Sequence, residues 1–212
     1  MLIAAGVIAG ILETLVVCWI WKKYNLWDMD LKNRKQMAVM GGLAILSVVI
    51  NVLLFRKHYL FTVCINLMAV YTITAAVAGI DFKTKTIPNK ILFAGIIIRI
   101  VLICLEAVFY SDGIRQTLIN SGIGFAFGLI FMLFLSFISK HGIGYGDVKL
   151  FAWIGLCVGF LDTYNILFYS VLAAAIVGIY LLLVKNKDKK TQLPFAPFVF
   201  VGTYMMICFH LL

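Results

Sequence analysis

The sequence predicts an all-α, polytopic membrane protein, a bundle of about eight transmembrane helices with both termini on the outer side. Of its 212 residues, 64% are hydrophobic and only 13% are charged, and the mean hydropathy is +1.07. A soluble domain of this length needs more polar residues to cover its core. Only helices and closed β-barrels satisfy their backbone hydrogen bonds in lipid, and the apolar segments lack the alternation of barrel strands.

The number of helices follows from the apolar segments that reach about 20 residues, the length a spanning helix needs. Such segments occur at 2–21, 37–55, 60–80, 91–110, 116–139, 163–184 and 194–212. The shorter segment 150–161 is predicted as a separate sixth helix, because 148–184 is too long for one span and the stretch 159–165 favours a turn. Lysines follow the first segment rather than precede it, so we expect a retained helix and not a cleaved signal peptide.

The basic residues of the predicted loops indicate the orientation. Counted from the N-terminus, the odd loops carry fourteen lysines and arginines and the even loops carry three, with Arg99 inside a helix. Cytoplasmic loops are enriched in these residues, so the odd loops are predicted to be cytoplasmic. The net charge of +9 then reflects topology and contact with anionic membrane lipid, and no nucleic acid is predicted as a partner. The largest hydrophilic loop, 21–36, is expected to lie on the membrane surface.

Two of the nine acidic residues are candidates for a catalytic pair. Asp81 ends the third predicted helix and Asp147 precedes the sixth, so the helix count places both at the cytoplasmic edge, although 66 positions separate them. Two close carboxyl groups share one proton, so that one activates water while the other protonates a scissile carbonyl oxygen. Gly144 and Gly146 would let a peptide backbone approach closely. The residues alone equally permit two loop acids that balance nearby lysines.

Other polar residues are predicted to have structural roles. Arg99 lies in mid-helix, where a charge is costly, and Glu13 or Glu106 is its expected partner in an ion pair. Lys149 is expected to reach the membrane surface or a lipid phosphate, and His141 to be a solvated loop residue. The five cysteines form no C-x-x-C pair, so no metal site is predicted. Close helix packing is predicted at two glycine pairs with GxxxG spacing, Gly124 with Gly128 and Gly155 with Gly159.

Three ordered motifs resemble those of the type IV prepilin leader peptidases, which are membrane aspartyl proteases of the G-x-G-D kind. The motifs are Gly144-Tyr145-Gly146-Asp147, then Asp81 with Ile87-Pro88-Asn89 behind it, and Pro194-Phe195-Ala196-Pro197 at the start of the last helix. The resemblance covers about 60–212 and leaves 1–59 as divergent helices of a single membrane-embedded domain. It implies that Asp81 and Asp147 are catalytic. The substrate-binding residues that it implies are Gly144, Tyr145, Gly146, Pro88, Asn89, Pro194 and Pro197.

By this resemblance the protein is expected to be an endopeptidase of the cytoplasmic (inner) membrane that needs no cofactor. Its expected partner is a type IV prepilin or pseudopilin, cut at the cytoplasmic face just before the hydrophobic N-terminal helix. Longer members of the family carry a cytoplasmic insert, often with paired C-x-x-C motifs, and they also methylate the new N-terminus. The corresponding loop 21–36 contains no cysteine, so we expect peptidase activity alone, or methylation by another route.

Two alternatives remain open at the level of the sequence. A small transporter or channel would use the same two aspartates as ion or proton sites, and it predicts carboxylates near the membrane midplane within broken helices. A pilus-assembly scaffold would have the same fold but would not cleave a substrate.

Overall fold

The computed structural model of the chain describes residues 2–26, 34–56, 60–138, 144–184 and 194–211. Within these ranges every regular element is an α-helix, which confirms the predicted all-α class. The eight helices are α1 (Leu2–Lys23), α2 (Arg34–Arg56), α3 (Phe61–Thr84), α4 (Asn89–Phe109), α5 (Ser111–Ile138), α6 (Tyr145–Val158), α7 (Phe160–Val184) and α8 (Ala196–Leu211).

Five of the described helices, namely α1, α3, α4, α5 and α7, are long and apolar enough to cross a membrane. The chain is therefore a multi-pass membrane protein. With 14 residues, α6 extends about 21 Å, which is shorter than the hydrocarbon layer of roughly 30 Å. The segment that carries Asp147 thus lies outside the five spans, although the sequence suggested a sixth spanning helix.

The structure corrects several predicted boundaries. α5 begins at Ser111, five residues earlier than expected, because only Tyr110 interrupts the helix after α4. The predicted turn at 159–165 is reduced to Gly159, whose φ of 83° lies in the left-handed region that glycine tolerates. This break separates α6 from α7, as predicted. Residues 27–33 of loop 21–36, His141 and the lysine cluster 185–190 lie outside the described residues, so the orientation stays a prediction.

α3 is the central helix of the bundle, with contacts to α1, α2, α4, α6 and α8. Trp21 at the end of α1 packs against Gly79, and its indole N–H donates a hydrogen bond to the Ala76 carbonyl oxygen over 2.9 Å. The Lys83 ammonium donates to the carbonyl oxygens of Asn25 and Leu26 over 2.8 and 2.9 Å. These contacts attach the N-terminal helices to the helix that carries Asp81.

The buried Arg99 forms the predicted ion pair, and Glu106 is its partner. Arg99 Nη1 lies 3.4 Å from Glu106 Oε1, and Nη2 donates to Ser121 Oγ over 3.0 Å. Glu13, the other predicted candidate, instead accepts a hydrogen bond from Asn51 Nδ2 over 2.8 Å. The two buried acids therefore have different roles. Glu106 pairs with Arg99, which links α4 to α5, and Glu13 links α1 to α2.

Glycines bring α5 and α6 into backbone contact, as their spacing predicted. A Cβ atom built on Gly124 would overlap the backbone of α6 at Gly155, and one built on Gly155 would overlap Gly124 in return. A Cβ atom on Gly128 would overlap the carbonyl group of Phe151. This close approach holds the middle and the last turn of α6 against α5.

Candidate active site

Asp81 lies in the last turn of α3, and its side chain is only 6% exposed. The helix ends at Thr84, and the left-handed backbone of the next residue, Lys85 (φ 52°), turns the chain. The Lys85 N–H donates to the Asp81 carbonyl oxygen over 2.8 Å. Pro88 cannot donate a backbone hydrogen bond, and it precedes the first residue of α4. The Ile87-Pro88-Asn89 segment thus ends one helix and begins the next beside Asp81.

The N-terminus of α8 contacts the Asp81 carboxyl group directly. The backbone N–H of Ala196 donates to Asp81 Oδ2 over 3.0 Å, a contact between residues 115 positions apart. The first N–H groups of a helix lack partners within the helix and favour an acceptor with negative charge. Pro194 and Pro197 flank this donor in the chain, and the Phe195 ring stacks on Phe151 of α6 at 6.1 Å between centroids. The last-helix motif therefore positions a donor for Asp81.

Asp147 lies in the first turn of α6 and is partly buried. Its backbone N–H donates to the carbonyl oxygen of Gly144, the N-cap residue, over 3.0 Å. Its Oδ1 atom is buried and finds no hydrogen-bond partner among the described residues. One oxygen of this carboxyl group is thus left to bind a proton, a water molecule or a ligand.

The two acidic residues interact electrostatically across the space between α3 and α6. Burial, followed by the charge of Asp81, raises the pKa of Asp147 to about 7. Two carboxyl groups that interact in this way cannot both ionise easily. The structure therefore brings towards each other the two residues that the sequence singled out.

Gly146 contacts the segment that follows Asp81. A Cβ atom added to Gly146 would lie 3.1 Å from the Cβ of Ile87, closer than ordinary van der Waals contact. One turn further along α6, Lys149 Nζ donates to Asn89 Oδ1 over 3.2 Å. The G-x-G-D and Ile-Pro-Asn motifs are therefore packed together, which is what brings Asp147 towards Asp81.

The remaining sequence-predicted site residues lie around this pair. Gly144 and Tyr145 are exposed at the start of α6, with 61% of Tyr145 accessible. Pro88 and Pro194 are partly buried, and Asn89 is exposed. Their roles as substrate-binding residues stay predictions. Within the described part of the chain, no group of three or more His, Cys, Asp or Glu residues is arranged to hold a metal ion.

Sequence reasoning missed two contributions to the site. The donor to Asp81 is a backbone N–H of Ala196, and a side-chain motif cannot identify it. The packing partner of Gly146 is the side chain of Ile87, whereas glycine at 146 was interpreted as space for a substrate. The two prolines around Ala196 were the available signal for the first, since proline commonly marks the start of a helix.

A helical, multi-pass membrane protein with paired aspartates at one end of the bundle is the class of protein that this fold and site define. The model of the type IV leader peptidase family (Peptidase_A24) matches residues 68–179, more than half of the chain. The chain belongs to this family.

Curated relatives carry the name prepilin leader peptidase/N-methyltransferase. The protein from Xanthomonas campestris is 26% identical over 136 residues, which is 62% of this chain and 45% of the relative. The protein from Legionella pneumophila is 29% identical over 68% of this chain and 50% of the relative. The protein from Bacillus subtilis is 36% identical over 83 residues, 39% of this chain and 34% of the relative. The chain thus spans half or less of the length of these relatives, and no solved structure matches it.

The raised pKa of Asp147 predicts a pH-dependent gain of stability in Asp147→Asn. A carboxyl group with a higher pKa in the folded chain binds extra protons there, so stability falls as the pH rises from about 4, its unfolded value, to about 7. Asn removes this penalty, so its advantage should be near zero at pH 4 and up to about 4 kcal/mol at pH 8, because each unit between the unfolded and the folded pKa corresponds to about 1.4 kcal/mol.

Thermal unfolding in detergent at the two pH values measures this difference. Asp112→Asn makes the same carboxyl-to-amide change at an exposed acid in the first turn of α5, and it is the matched control at the same two pH values. An equal effect of Asp147→Asn at both pH values would contradict the prediction.

Proposed function

We propose that this chain is an aspartyl endopeptidase of the cytoplasmic membrane that removes the leader peptide of type IV prepilin-like proteins. In this proposal Asp81 and Asp147 are the catalytic residues. The observation that carries it is that the start of α6 packs against the segment that follows α3, through Gly146 and Ile87 and through Lys149 and Asn89. This packing brings two carboxyl groups that are far apart in sequence to the same end of the bundle. Family membership and the names of the relatives support the same activity.

Peptide hydrolysis by such a pair needs neither a metal ion nor a nucleophilic side chain. The ionised carboxylate takes a proton from a water molecule, which then attacks the scissile carbonyl carbon, while the protonated carboxyl group donates to the carbonyl oxygen. The unpartnered Oδ1 of Asp147 is available for this exchange. The Ala196 N–H stabilises negative charge on Asp81 and holds that carboxyl group in one orientation.

A neighbouring cavity supports a substrate with an apolar helix. It has a volume of about 700 Å³ and is lined by residues on either side of Asp81 in α3, Ala78 and Phe82, and by Pro197 and Phe200 of α8. The rest of its lining is apolar except for one lysine, and consists of Trp21, Leu26, Val39, Leu43, Ala75, Gly79 and Lys83. A hydrophobic segment bound here would place the peptide bond at its N-terminal edge next to Asp81, where the proposed leader is cut.

The positions of the acids favour a peptidase over an ion-conducting protein. Asp81 lies in the final turn of α3 and Asp147 in the first turn of α6, and neither helix is broken around the acid. A carrier of the alternative kind would hold its carboxylates near mid-membrane in discontinuous helices. The lysine distribution supports the cytoplasmic face as the side of cleavage.

Co-expression of the chain with a model prepilin tests the proposal. We expect the wild-type chain to shorten the substrate, and N-terminal sequencing to locate the cut just before the apolar helix. The double variant Asp81→Asn/Asp147→Asn is the control and should leave the substrate intact. The product mass also shows whether the new N-terminus is methylated, which distinguishes peptidase activity alone from methylation by another route. An intact substrate beside a folded, membrane-inserted wild-type chain would contradict the proposal.

A further inference from the structure

A second cavity, of about 360 Å³, lies between α4, α5 and α6, on the Asp147 side of the site. Its charged and amide groups are at one end, and the rest of its lining is apolar or aromatic. The lining residues are Asn89, Leu92, Phe93, Ile96, Phe125, Leu129, Lys149, Ala152, Trp153 and Leu156. The cavity is therefore polar at one end and apolar along the rest of its length, which suits a molecule with a polar head and an apolar tail.

The helix geometry sets the dimensions of this profile. α4 and α6 both begin near the polar end, where the exposed Lys149 and Asn89 are joined by a hydrogen bond. Ile96 and Leu156 are seven residues further along their helices, which places them about 10 Å deeper. Over that depth the lining of the cavity is hydrophobic, and the Lys149 ammonium lies at its outer end.

Trp153 provides an aromatic wall at an intermediate depth. Its side chain lines the cavity and is only 2% exposed, and the nitrogen edge of its indole packs against Gly95 of α4. Trp153 lies one helical turn beyond Lys149, about 6 Å deeper, so the lining becomes apolar directly below the cation.

We propose that this cavity binds one anionic phospholipid. The phosphate accepts hydrogen bonds from the Lys149 ammonium, and an acyl chain lies between α4, α5 and α6 against the apolar lining and the Trp153 ring. Among the described lining residues Lys149 is the one with a formal charge, so the site favours an anionic headgroup over a zwitterionic one.

Such a lipid would bind the two segments that form the candidate active site. Lys149 is two residues beyond Asp147, and Asn89 is two residues beyond Ile87, the side chain that contacts Gly146. The lipid phosphate would replace or share the link between Lys149 and Asn89. The lipid site would therefore adjoin the contact between Gly146 and Ile87 that positions Asp147.

Native mass spectrometry in non-ionic detergent tests the proposal without relying on peptidase activity. The purified chain is mixed with equal amounts of phosphatidylglycerol and phosphatidylcholine. We expect one phosphatidylglycerol to be retained preferentially by the wild type. Lys149→Gln should weaken its binding about fivefold, the effect of one basic residue near an anionic headgroup, whereas Lys149→Arg should retain it. The matched control is Lys85→Gln, which removes an exposed lysine at the end of α3, outside the cavity.

Several outcomes would overturn the proposal. Equal retention of phosphatidylcholine would refute the anionic specificity, and unchanged binding in Lys149→Gln would refute the site. An equal loss in Lys85→Gln and Lys149→Gln would show diffuse attraction by surface charge. Glycerol 3-phosphate, which has the phosphate but no acyl chain, is expected not to compete with the lipid. Efficient competition by it would mean a phosphate site rather than a lipid site.

Discussion

Asp81→Asn and Asp147→Asn are each expected to lower prepilin cleavage by at least about 100-fold, the usual contribution of a general acid or base. Asn has nearly the size and shape of Asp, and its side-chain oxygen can still accept the Ala196 N–H at position 81. It cannot take a proton from water or hold the proton that the pair shares. Loss of activity in both single variants would therefore reflect chemistry and not packing.

The measurement is the fraction of prepilin cleaved after co-expression, normalised to the amount of membrane-inserted enzyme. Glu13→Gln is the matched control, because it makes the same carboxyl-to-amide change at a buried acid that is bonded to Asn51 instead of facing the pair. We expect this variant to cleave as the wild type does. Full activity in either aspartate variant would refute the proposed mechanism and would favour the ion-site or scaffold alternative.

Gly155→Ala is expected to destabilise the protein by at least about 3 kcal/mol, the upper range for inserting a methyl group into a well-packed interface. The added Cβ would overlap the carbonyl group of Gly124, which is backbone and cannot rotate away as a side chain can. α5 and α6 would have to separate, and α6 carries Asp147. Cleavage should therefore fall together with stability.

Thermal unfolding in detergent measures the effect, and the same helix pair offers a control. Gly122→Ala places a methyl group on α5 where no atom lies within 4 Å, so it should leave stability unchanged or raise it slightly through helix propensity. A Gly155→Ala variant as stable as Gly122→Ala would show that the α5–α6 contact is looser than the structure indicates.

The sequence predicted the fold class and most of the helices because lipid imposes a simple requirement on length and polarity. It failed at helix ends. The start of α5 and the single-residue break at Gly159 depend on local backbone geometry, which hydropathy does not report. Asp147 was expected just before α6 and lies inside its first turn, because the helix begins directly after Gly144.

For the site, the sequence singled out both aspartates, since acidic residues are rare in an apolar chain and stand out beside glycines. It left two partners open for Arg99, and the structure selects Glu106. Glu106 lies seven residues beyond Arg99 in the same helix, α4, so the two side chains share a face of that helix, whereas Glu13 lies in α1. This spacing was a signal in the sequence, but only the packing of the helices showed that no Glu13 contact replaces it.

The sequence by itself determined that this protein is a helical membrane protein with two candidate catalytic acids, because composition and motifs are local properties of the chain. Only the tertiary structure decided that Asp81 and Asp147 interact, that the N-terminus of α8 donates to Asp81, and that Ile87 packs against Gly146. Each of these contacts joins residues that are distant in the chain, so their free energy arises from the packing of whole helices and leaves no periodic signal in the sequence.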